Sequence, residues 1–273
     1  MKIVYFGSNI FSSCLNYLIN EGHDILCVYK SKLSLNTCNI DQTCRKNIPQ
    51  YTHKPNITEL NRLIAEGAEM FFVAEYPYLL AMTNVKYAIN MHSSLLPIGR
   101  GPTPLPHLIT RPQYSGLTLH KIASKFDSGD IILQAKVKQN KGESLTTLMV
   151  KMRLESVKLL TTLFKNLERY YHNASPQKND TYWPAIKTEE RMLDWSLSVS
   201  QLHKLISSLG YFGVIVKLNQ NYYKVTHVEV SVYQHNSTVG TVLFEDGNLL
   251  VISVLDGFAC IHKNSISTIN NRA

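Results

Sequence analysis

The chain has 273 residues, of which 44% are hydrophobic and 18% are charged, and its formal net charge is +8. It is long enough to bury a substantial core, and we expect two domains. No run of about 18 apolar residues occurs, which argues against a membrane-spanning helix. The opening MKIVYFGSN has the pattern of a core strand and lacks the basic start of a signal peptide. We therefore expect a soluble, cytoplasmic protein with no membrane partner.

Cysteine usage and charge restrict the cofactors and partners. The five cysteines are an odd number at scattered positions, which fits neither a disulfide framework nor a zinc site. No group of His, Cys, Asp and Glu has metal-ligand spacing along the sequence, so we predict no metal. The positive charge favours polyanions such as tRNA, a nucleotide or a polyglutamylated cofactor. Because the basic residues form no compact run, a dispersed lysine surface explains the charge equally well.

The first part of the chain predicts alternating strands and helices. Lys2 to Phe6 is an apolar strand, apolar residues recur at helical spacing from Ile10 to Glu21, and Asp24 to Tyr29 is the next strand. A polar connection, Lys30 to Pro55, precedes a helix that runs from Thr58 to about Glu66. This alternation predicts a parallel, doubly wound sheet.

The first strand–helix junction is a candidate anion site. Gly7, Ser8 and Asn9 follow the first strand, and backbone N–H groups at a helix N-terminus bind phosphate. An ordinary N-cap turn explains the same residues. The junction has neither GxGxxG nor GxxxxGK[ST], which argues against a nicotinamide site and a P-loop. We retain Gly7, Ser8 and Asn9 as predicted substrate-binding residues.

The next segment leads into the most informative part of the chain. Glu69 to Val73 is an apolar strand, Leu79 to Val85 is predicted to be a short helix, and a buried strand then ends at Asn90-Met91-His92. Side chains two positions apart on a strand share a face. The Asn90 amide and the His92 imidazole are therefore expected to lie side by side.

A carboxylate in a later turn completes a candidate catalytic group. Gly116 to His120 is strand-like, and Asp127 lies in the turn that follows. An imidazole positioned by a carboxylate serves as a general acid or base, and an amide N–H donates to an oxyanion. The set suits acyl transfer to an amine, with direct attack favoured because Ser93 and Ser94 lie in a loop and are not clearly paired with His92. From spacing alone, a structural Asn-x-His pair and an ordinary turn are the more frequent interpretation.

The rest of the chain predicts a second, smaller domain. An amphipathic helix runs from Ser144 through Leu167, Tyr170 to Lys187 has the composition of a linker, and a further helix ends at Gly210. Short alternating runs, typical of a small β-barrel or sandwich, then occupy Val214 to Leu218, Tyr222 to Val232, Val239 to Phe244, Leu249 to Val254 and Phe258 to His262. The predicted organisation is a domain over residues 1–170, a linker over 171–195 and a β-rich domain over 196–273.

An ordered set of motifs resembles the signature of the 10-formyltetrahydrofolate-dependent formyltransferases. The matching residues are Asn90, His92, Ser94-Leu95-Leu96-Pro97, Arg100-Gly101, Gly116, Thr118, His120, Asp127, Gly129 and Ile131. The later segments Thr181-Tyr182-Trp183-Pro184, Leu193-Asp194-Trp195-Ser196 and Val239-Gly240-Thr241-Val242 are similar to the C-terminal domain of methionyl-tRNA formyltransferases and of some sugar-nucleotide formyltransferases. The first set is highly specific, because its order is kept over about forty residues.

The resemblance implies an α/β fold, a site and a formyl donor. It implies a Rossmann-like catalytic domain with a mostly parallel sheet, followed by a small β-rich, barrel-like domain. The implied formyl donor is 10-formyltetrahydrofolate, and no metal is implied. The catalytic trio would be Asn90, His92 and Asp127, and Arg100 would bind substrate. The pterin of the donor would contact Tyr78, Leu79, Leu80, Ile122, Ala123 and Asp127.

Departures from the methionyl-tRNA formyltransferases bear on the acceptor. The loop after the second strand lacks their Pro-Ala-Gly-Arg-Gly run, and Ile206 to Gly213 replaces a basic-aromatic segment. Glu75-Tyr76-Pro77 stands where they have Tyr-Gly. We therefore predict formyl transfer to a primary amine of a small molecule, an amino sugar on a nucleotide. Methionyl-tRNA formylation, formyltetrahydrofolate hydrolysis and non-catalytic folate binding are the alternatives, and tRNA and a homodimer stay open as partners.

Overall fold

Two compact units make up the chain. The computed structural model describes residues 1–30, 38–44, 47–218 and 220–269. The first unit comprises Met1–Gln139 and Met149–Pro184, and the second comprises Asn140–Leu148 and Ala185–Ala273. Parts of the long polar connection, residues 31–37 and 45–46, lie outside the described residues.

The first unit is organised on a single sheet. Its strands are β1 (Lys2–Gly7), β2 (Asp24–Lys30), β3 (Gln50–Tyr51), β4 (Met70–Ala74), β5 (Tyr87–His92), β6 (Gly116–Lys121) and β7 (Ile131–Lys136). They form a seven-stranded sheet in the order β3-β2-β1-β4-β5-β6-β7. The pairs among β1 to β5 are parallel, whereas β6 is antiparallel to β5 and to β7. The predicted mostly parallel α/β sheet is confirmed.

Burial explains why the central strands are continuous apolar runs. Every residue of β4 is buried, and Lys2 is the only exposed residue of β1. A parallel strand is covered on both faces, so it needs apolar side chains on both. The register pairs Gly7 with Ala74 and Ala74 with Met91, which brings the carboxyl ends of β1, β4 and β5 to one edge. Ligands of open α/β sheets bind at this edge.

The first unit has six α-helices among the described residues, and the sequence predicts the first, third and fifth of them. They are α1 (Ser12–Asn20), α2 (Cys38–Thr43), α3 (Ile57–Ala65), α4 (Pro104–Thr110), α5 (Leu145–Lys165, which begins in the second unit) and α6 (Leu167–His172). The predicted helix over Leu79 to Val85 is wrong, because that segment has irregular backbone. Leu80 and Val85 are both buried, and a spacing of five residues does not place two side chains on one helical face. None of the described helices is long and apolar enough to cross a lipid bilayer.

The second unit is β-rich. It contains α7 (Val199–Leu209) and the strands β8 (Val214–Leu218), β9 (Asn221–Val225), β10 (Val228–Val232), β11 (Val242–Glu245), β12 (Leu249–Val254), β13 (Gly257–His262) and β14 (Ile266–Thr268). They form a four-stranded sheet, β10-β13-β12-β11, and a three-stranded sheet, β14-β9-β8. The predicted run from Tyr222 to Val232 is two strands separated at Thr226 and His227. A capping box between Ser198 and Gln201 begins α7.

Candidate active site

Strand register brings the three predicted catalytic residues together. Asn90 and His92 both belong to β5, and the antiparallel pairing with β6 places His120 opposite Asn90 and Thr118 opposite His92. Asp127 lies in the turn between β6 and β7. This turn carries the carboxylate back to β5, so Asn90 and His92 both contact the same oxygen of Asp127.

The Asn90 amide is oriented by two partners. Its Nδ2 donates to Nε2 of His120 at 2.9 Å and to Oδ1 of Asp127 at 3.3 Å. His120 can accept this bond because its Nδ1 donates to the carbonyl of Lys121 at 2.8 Å, which leaves Nε2 with a lone pair. The contact with Asp127 is the longer of the two. That amide hydrogen is therefore the one that a substrate oxygen can capture most readily.

His92 presents one nitrogen to the Asp127 carboxylate. Its Nε2 donates to the carbonyl of Gly99 at 2.8 Å, and its Nδ1 lies 3.4 Å from Oδ1 of Asp127. In the neutral ring the lone pair is thus on Nδ1. Burial lowers the pKa of His92, although Asp127 and the Gly99 carbonyl favour its protonated form. A neutral imidazole next to a carboxylate is suited to accept a proton, because the carboxylate stabilises the resulting cation.

Asp127 is buried and ionised. Only 8% of the residue is exposed, and its Oδ2 accepts from the backbone N–H of Gly101 at 3.0 Å. Burial alone would raise the pKa of Asp127, but the positive charge that His92 and His120 carry when protonated, together with the Gly101 N–H, favours the ionised carboxylate and lowers that pKa to about 2. The carboxylate therefore keeps its negative charge at neutral pH.

A glutamine distant in sequence supports the Asp127 turn. Nε2 of Gln177 donates to the carbonyls of Asp127 and Gly129 at 2.8 and 2.7 Å. Its Oε1 accepts from Nε and a terminal nitrogen of Arg100 at 3.0 and 2.8 Å, and Arg100 also pairs with Asp180 at 2.9 Å. The predicted substrate-binding residue Arg100 thus connects the loop after β5 with residues 175–184 of the first unit.

The predicted pterin-binding segments meet at one apolar wall. Tyr78 and Ile122 pack against the core cluster that contains the buried Leu80. Leu79 and Ala123 are half-buried next to them in sequence. A flat ring with polar edges is bound between apolar side chains and backbone groups, so these residues fit a pterin. Their contact with the cofactor stays a prediction.

The side chains of the predicted substrate-binding residues Ser8 and Asn9, which follow Gly7, accept hydrogen bonds from backbone N–H groups of the protein. Ser8 accepts from the N–H of Ile10 at 3.3 Å, as an N-cap, and Asn9 Oδ1 accepts from the N–H of Ile40 at 3.1 Å. Both Ser8 and Asn9 are 6% exposed. The segment lies beside Ala74 at the same sheet edge, but the structure does not bring these side chains into contact with Asn90, His92 or Asp127 within the described hydrogen bonds. Substrate binding by Gly7, Ser8 and Asn9 stays a prediction.

Two residues of the site, His120 and Glu75, have no catalytic or binding role in the sequence-based prediction. His120 is part of the motif match without an assigned role, and only the pairing of β5 with β6 reveals its bond to Asn90. Glu75 follows β4 with a φ of +60°, and it accepts from Oγ of Ser93 at 2.7 Å. Burial raises the pKa of Glu75 to about 7, and the negative charge of Asp127 adds to this. A charged residue directly after a buried strand was the available signal.

Glu75→Gln is expected to stabilise the protein at about pH 8. The pKa of Glu75 is raised from 4.5 to about 7 in the folded state, so ionisation lowers the free energy of unfolding as the pH rises between these values. Glutamine removes that cost, which is at most roughly 3 kcal/mol. The gain should vanish near pH 4, where the carboxyl is protonated in both states. Urea unfolding at both pH values measures it, with the exposed Glu21→Gln as control.

Comparison with known families identifies the chain. A sequence model described as "Formyl transferase" matches residues 1–163, and one described as "Formyl transferase, C-terminal domain" matches residues 185–268. The chain belongs to the formyl transferase family. Members of this family are folate-dependent one-carbon transferases that use 10-formyltetrahydrofolate as the formyl donor. The resemblance found in the sequence is confirmed, as is its implication of a folate-dependent enzyme.

The proteins similar to this formyl transferase include one named for methionyl-tRNA and one solved with a nucleotide-linked amino sugar. The chain is 26% identical over 275 residues to a methionyl-tRNA formyltransferase of Coprothermobacter proteolyticus, with 92% of this chain and 88% of that protein covered. It is similar in fold to an N-formyltransferase from Helicobacter canadensis, solved with folinic acid and dTDP-3-aminofucose. That match has a TM-score of 0.60 and 19% identity, and it covers 96% of this chain and 98% of the other.

A third likeness is to HypX from Aquifex aeolicus in complex with tetrahydrofolic acid. The TM-score is 0.70 at 16% identity, and the match covers 96% of this chain but 43% of HypX. This formyl transferase thus spans less than half of that protein. At this level of identity, both structural likenesses show the shared fold.

Proposed function

We propose that this formyl transferase moves a formyl group from 10-formyltetrahydrofolate to the primary amine of an amino sugar carried on a nucleotide. The observation that carries the proposal is the convergence of Asn90 and His92 on one oxygen of Asp127. 10-Formyltetrahydrofolate supplies an electrophilic formyl carbon when it is bound. The amide of Asn90 and the imidazole of His92 thus lie on either side of the Asp127 carboxylate, and together the three side chains suit acyl transfer to an amine.

Each member of the trio has a role that follows from its contacts. His92 Nδ1, unprotonated and next to Asp127, takes the proton that the attacking amine loses. Asp127 stabilises the imidazolium that forms. The Asn90 amide, held by His120, donates to a carbonyl oxygen that gains negative charge. The neutral His92 of the resting site would thus be the base. As the bond between the formyl carbon and the donor nitrogen breaks, the imidazolium would return the proton to that nitrogen, and Asp127 would keep its charge throughout.

The two serines after β5 donate their hydroxyl hydrogen bonds to groups other than His92, which supports direct attack by the amine. Ser93 Oγ donates to Glu75 at 2.7 Å, and Ser94 Oγ donates to the carbonyl of Ile98 at 2.8 Å. Neither hydroxyl is bonded to His92 among the described contacts. A nucleophilic serine needs a hydrogen bond to its base, so a covalent acyl-enzyme is disfavoured.

The choice of acceptor rests on two lines of support. The sequence departs from the methionyl-tRNA formyltransferases at Ile206 to Gly213, where a basic-aromatic segment is replaced. The neighbour from Helicobacter canadensis, matched over nearly its whole length, was solved with a nucleotide-linked amino sugar. A small acceptor is compatible with both observations. Methionyl-tRNA is the second candidate, because the curated relative from Coprothermobacter proteolyticus acts on it.

The test follows tetrahydrofolate release from 10-formyltetrahydrofolate in four parallel reactions. These contain water alone, an amino-sugar nucleotide, the same nucleotide with a hydroxyl in place of the amine, and charged initiator methionyl-tRNA. We expect release only with the amino-sugar nucleotide. Release with the tRNA alone would establish the second candidate instead. Equal release in all four reactions would identify a hydrolase, and no release in any would leave a folate-binding protein.

A further inference from the structure

Antiparallel pairing collects metal-binding side chains on one face of the second unit. Glu229 of β10 is the cross-strand partner of Cys260 of β13, and the carbonyl of His227 accepts from the N–H of His262 at 3.2 Å. Cross-strand partners share a face of the sheet, as do residues two positions apart on one strand. His227, Glu229 and His262 therefore lie on one face. The intervening Val228 is buried in the core on the other.

The three side chains converge on a single carboxylate oxygen. Oε1 of Glu229 lies 3.0 Å from Nε2 of His262 and 3.3 Å from Nε2 of His227. The two imidazoles are stacked, with ring centroids 3.8 Å apart and an angle of 3° between their planes. One donor atom from each residue lies within 4.8 Å of the others. Both histidines thus point the same nitrogen toward the same small volume.

The backbone that carries the histidines is held in place. Ser265 Oγ donates to the carbonyl of His262 at 2.7 Å, and it accepts from the N–H of His227 at 3.2 Å. β13 is an inner strand, bonded to β10 on one side and to β12 on the other. Ligands on strands of a sheet are positioned more precisely than ligands on loops.

We propose that His227, Glu229 and His262 form a binding site for a divalent metal ion of the zinc class. Two imidazoles and a carboxylate are ligands that Zn²⁺ accepts at about 2.0–2.2 Å. The ion would occupy the space where both Nε2 atoms now face Glu229.

This site is independent of the proposed formyl transfer. Asn90, His92 and Asp127 belong to the first unit, whereas the three metal ligands belong to the second. The three ligands do not have the sequence spacing of a metal-binding motif, which explains why the sequence predicts no metal. A metal that binds the folded chain and not the unfolded chain stabilises the fold. The expected consequence is a more stable second unit.

The experiment titrates the full-length, tag-free chain with ZnCl₂ in a calorimeter, after treatment with a chelator. We expect saturable binding of about one equivalent at this site. The variants His227→Asn and His262→Asn should each weaken it by more than about tenfold, since even changes around metal ligands cost that much. His172→Asn is the matched control, because His172 is also exposed and faces a glutamate, Glu168, at 3.8 Å.

A second measurement makes the result independent of calorimetry. Co²⁺ bound by two imidazoles and a carboxylate gives visible absorption bands, which should disappear in the double variant His227→Asn/His262→Asn. Zn²⁺ should also raise the melting temperature of the wild-type chain and of His172→Asn, but not of the double variant. Wild-type affinity for Zn²⁺ in the folded double variant, or no saturable binding by the wild-type chain, would overturn the proposal.

Discussion

His92→Ala is expected to lower the rate of formyl transfer by roughly 10²–10⁴-fold while the chain still folds. The variant removes Nδ1 of His92, which faces Asp127 and is the proposed acceptor of the amine proton. Asp127 keeps the Gly101 N–H and the Asn90 amide as donors, so its charge stays compensated. Single-turnover kinetics with 10-formyltetrahydrofolate and the preferred acceptor measure the loss, and thermal melting checks the fold.

Asn90→Ala and the double variant test whether Asn90 and His92 act together. Asn90→Ala should cost about 10²–10³-fold, the usual cost of one oxyanion donor. Because both residues act on the same carboxylate oxygen, the double variant should lose much less than the product of the single losses. The exposed His172→Ala is the control and should keep the wild-type rate. Near wild-type transfer by His92→Ala would refute the proposed role of the trio.

Gly101→Ala is expected to destabilise the first unit by about 2 to 4 kcal/mol and to slow formyl transfer. Gly101 has a φ of +129°, and a Cβ at this position would lie 2.1 Å from the carbonyl oxygen of Trp183. Its N–H also donates to Oδ2 of Asp127. Relief of the clash therefore displaces a hydrogen bond that orients the Asp127 carboxylate of the proposed trio.

Gly22→Ala is the matched control for Gly101→Ala. Gly22 has a φ of +78°, and nothing lies within 4 Å of a Cβ built there. It should cost about 1 kcal/mol for the backbone alone and leave the transfer rate unchanged. Denaturant unfolding and kcat for the two variants separate backbone strain from the loss at Asp127. Equal effects of the two substitutions would show that the contact with Trp183 does not matter.

Glu75, at the end of β4, is a second buried carboxyl group near the trio. Glu75 and Asp127 are carboxylates of opposite behaviour, since burial raises the pKa of Glu75 to about 7 whereas donors lower that of Asp127 to about 2. Glu75 therefore changes its protonation near neutral pH. It accepts a hydrogen bond from Ser93, which follows His92 of the trio directly in the chain.

Local sequence determined the strands and the first half of the site. Buried parallel strands require unbroken apolar runs, so β1 and β4 are visible in the sequence. Strand periodicity alone places Asn90 and His92 on one face. The ordered motif around them is sufficient to indicate the family without any knowledge of tertiary contacts. The strand features depend on neighbours within a few residues, and the motif depends only on the order of residues along the chain.

Only the tertiary structure decided which distant groups complete the site. His120 reaches Asn90 through the register of β5 with β6, and Gln177 reaches the Asp127 turn from a segment 50 residues later. The cluster of His227, Glu229 and His262 likewise exists only because β10 pairs with β13. Register is set by the packing of whole strands, which no short stretch of sequence specifies. The sequence therefore predicts the trio, whereas the fold determines which residues contact and orient it.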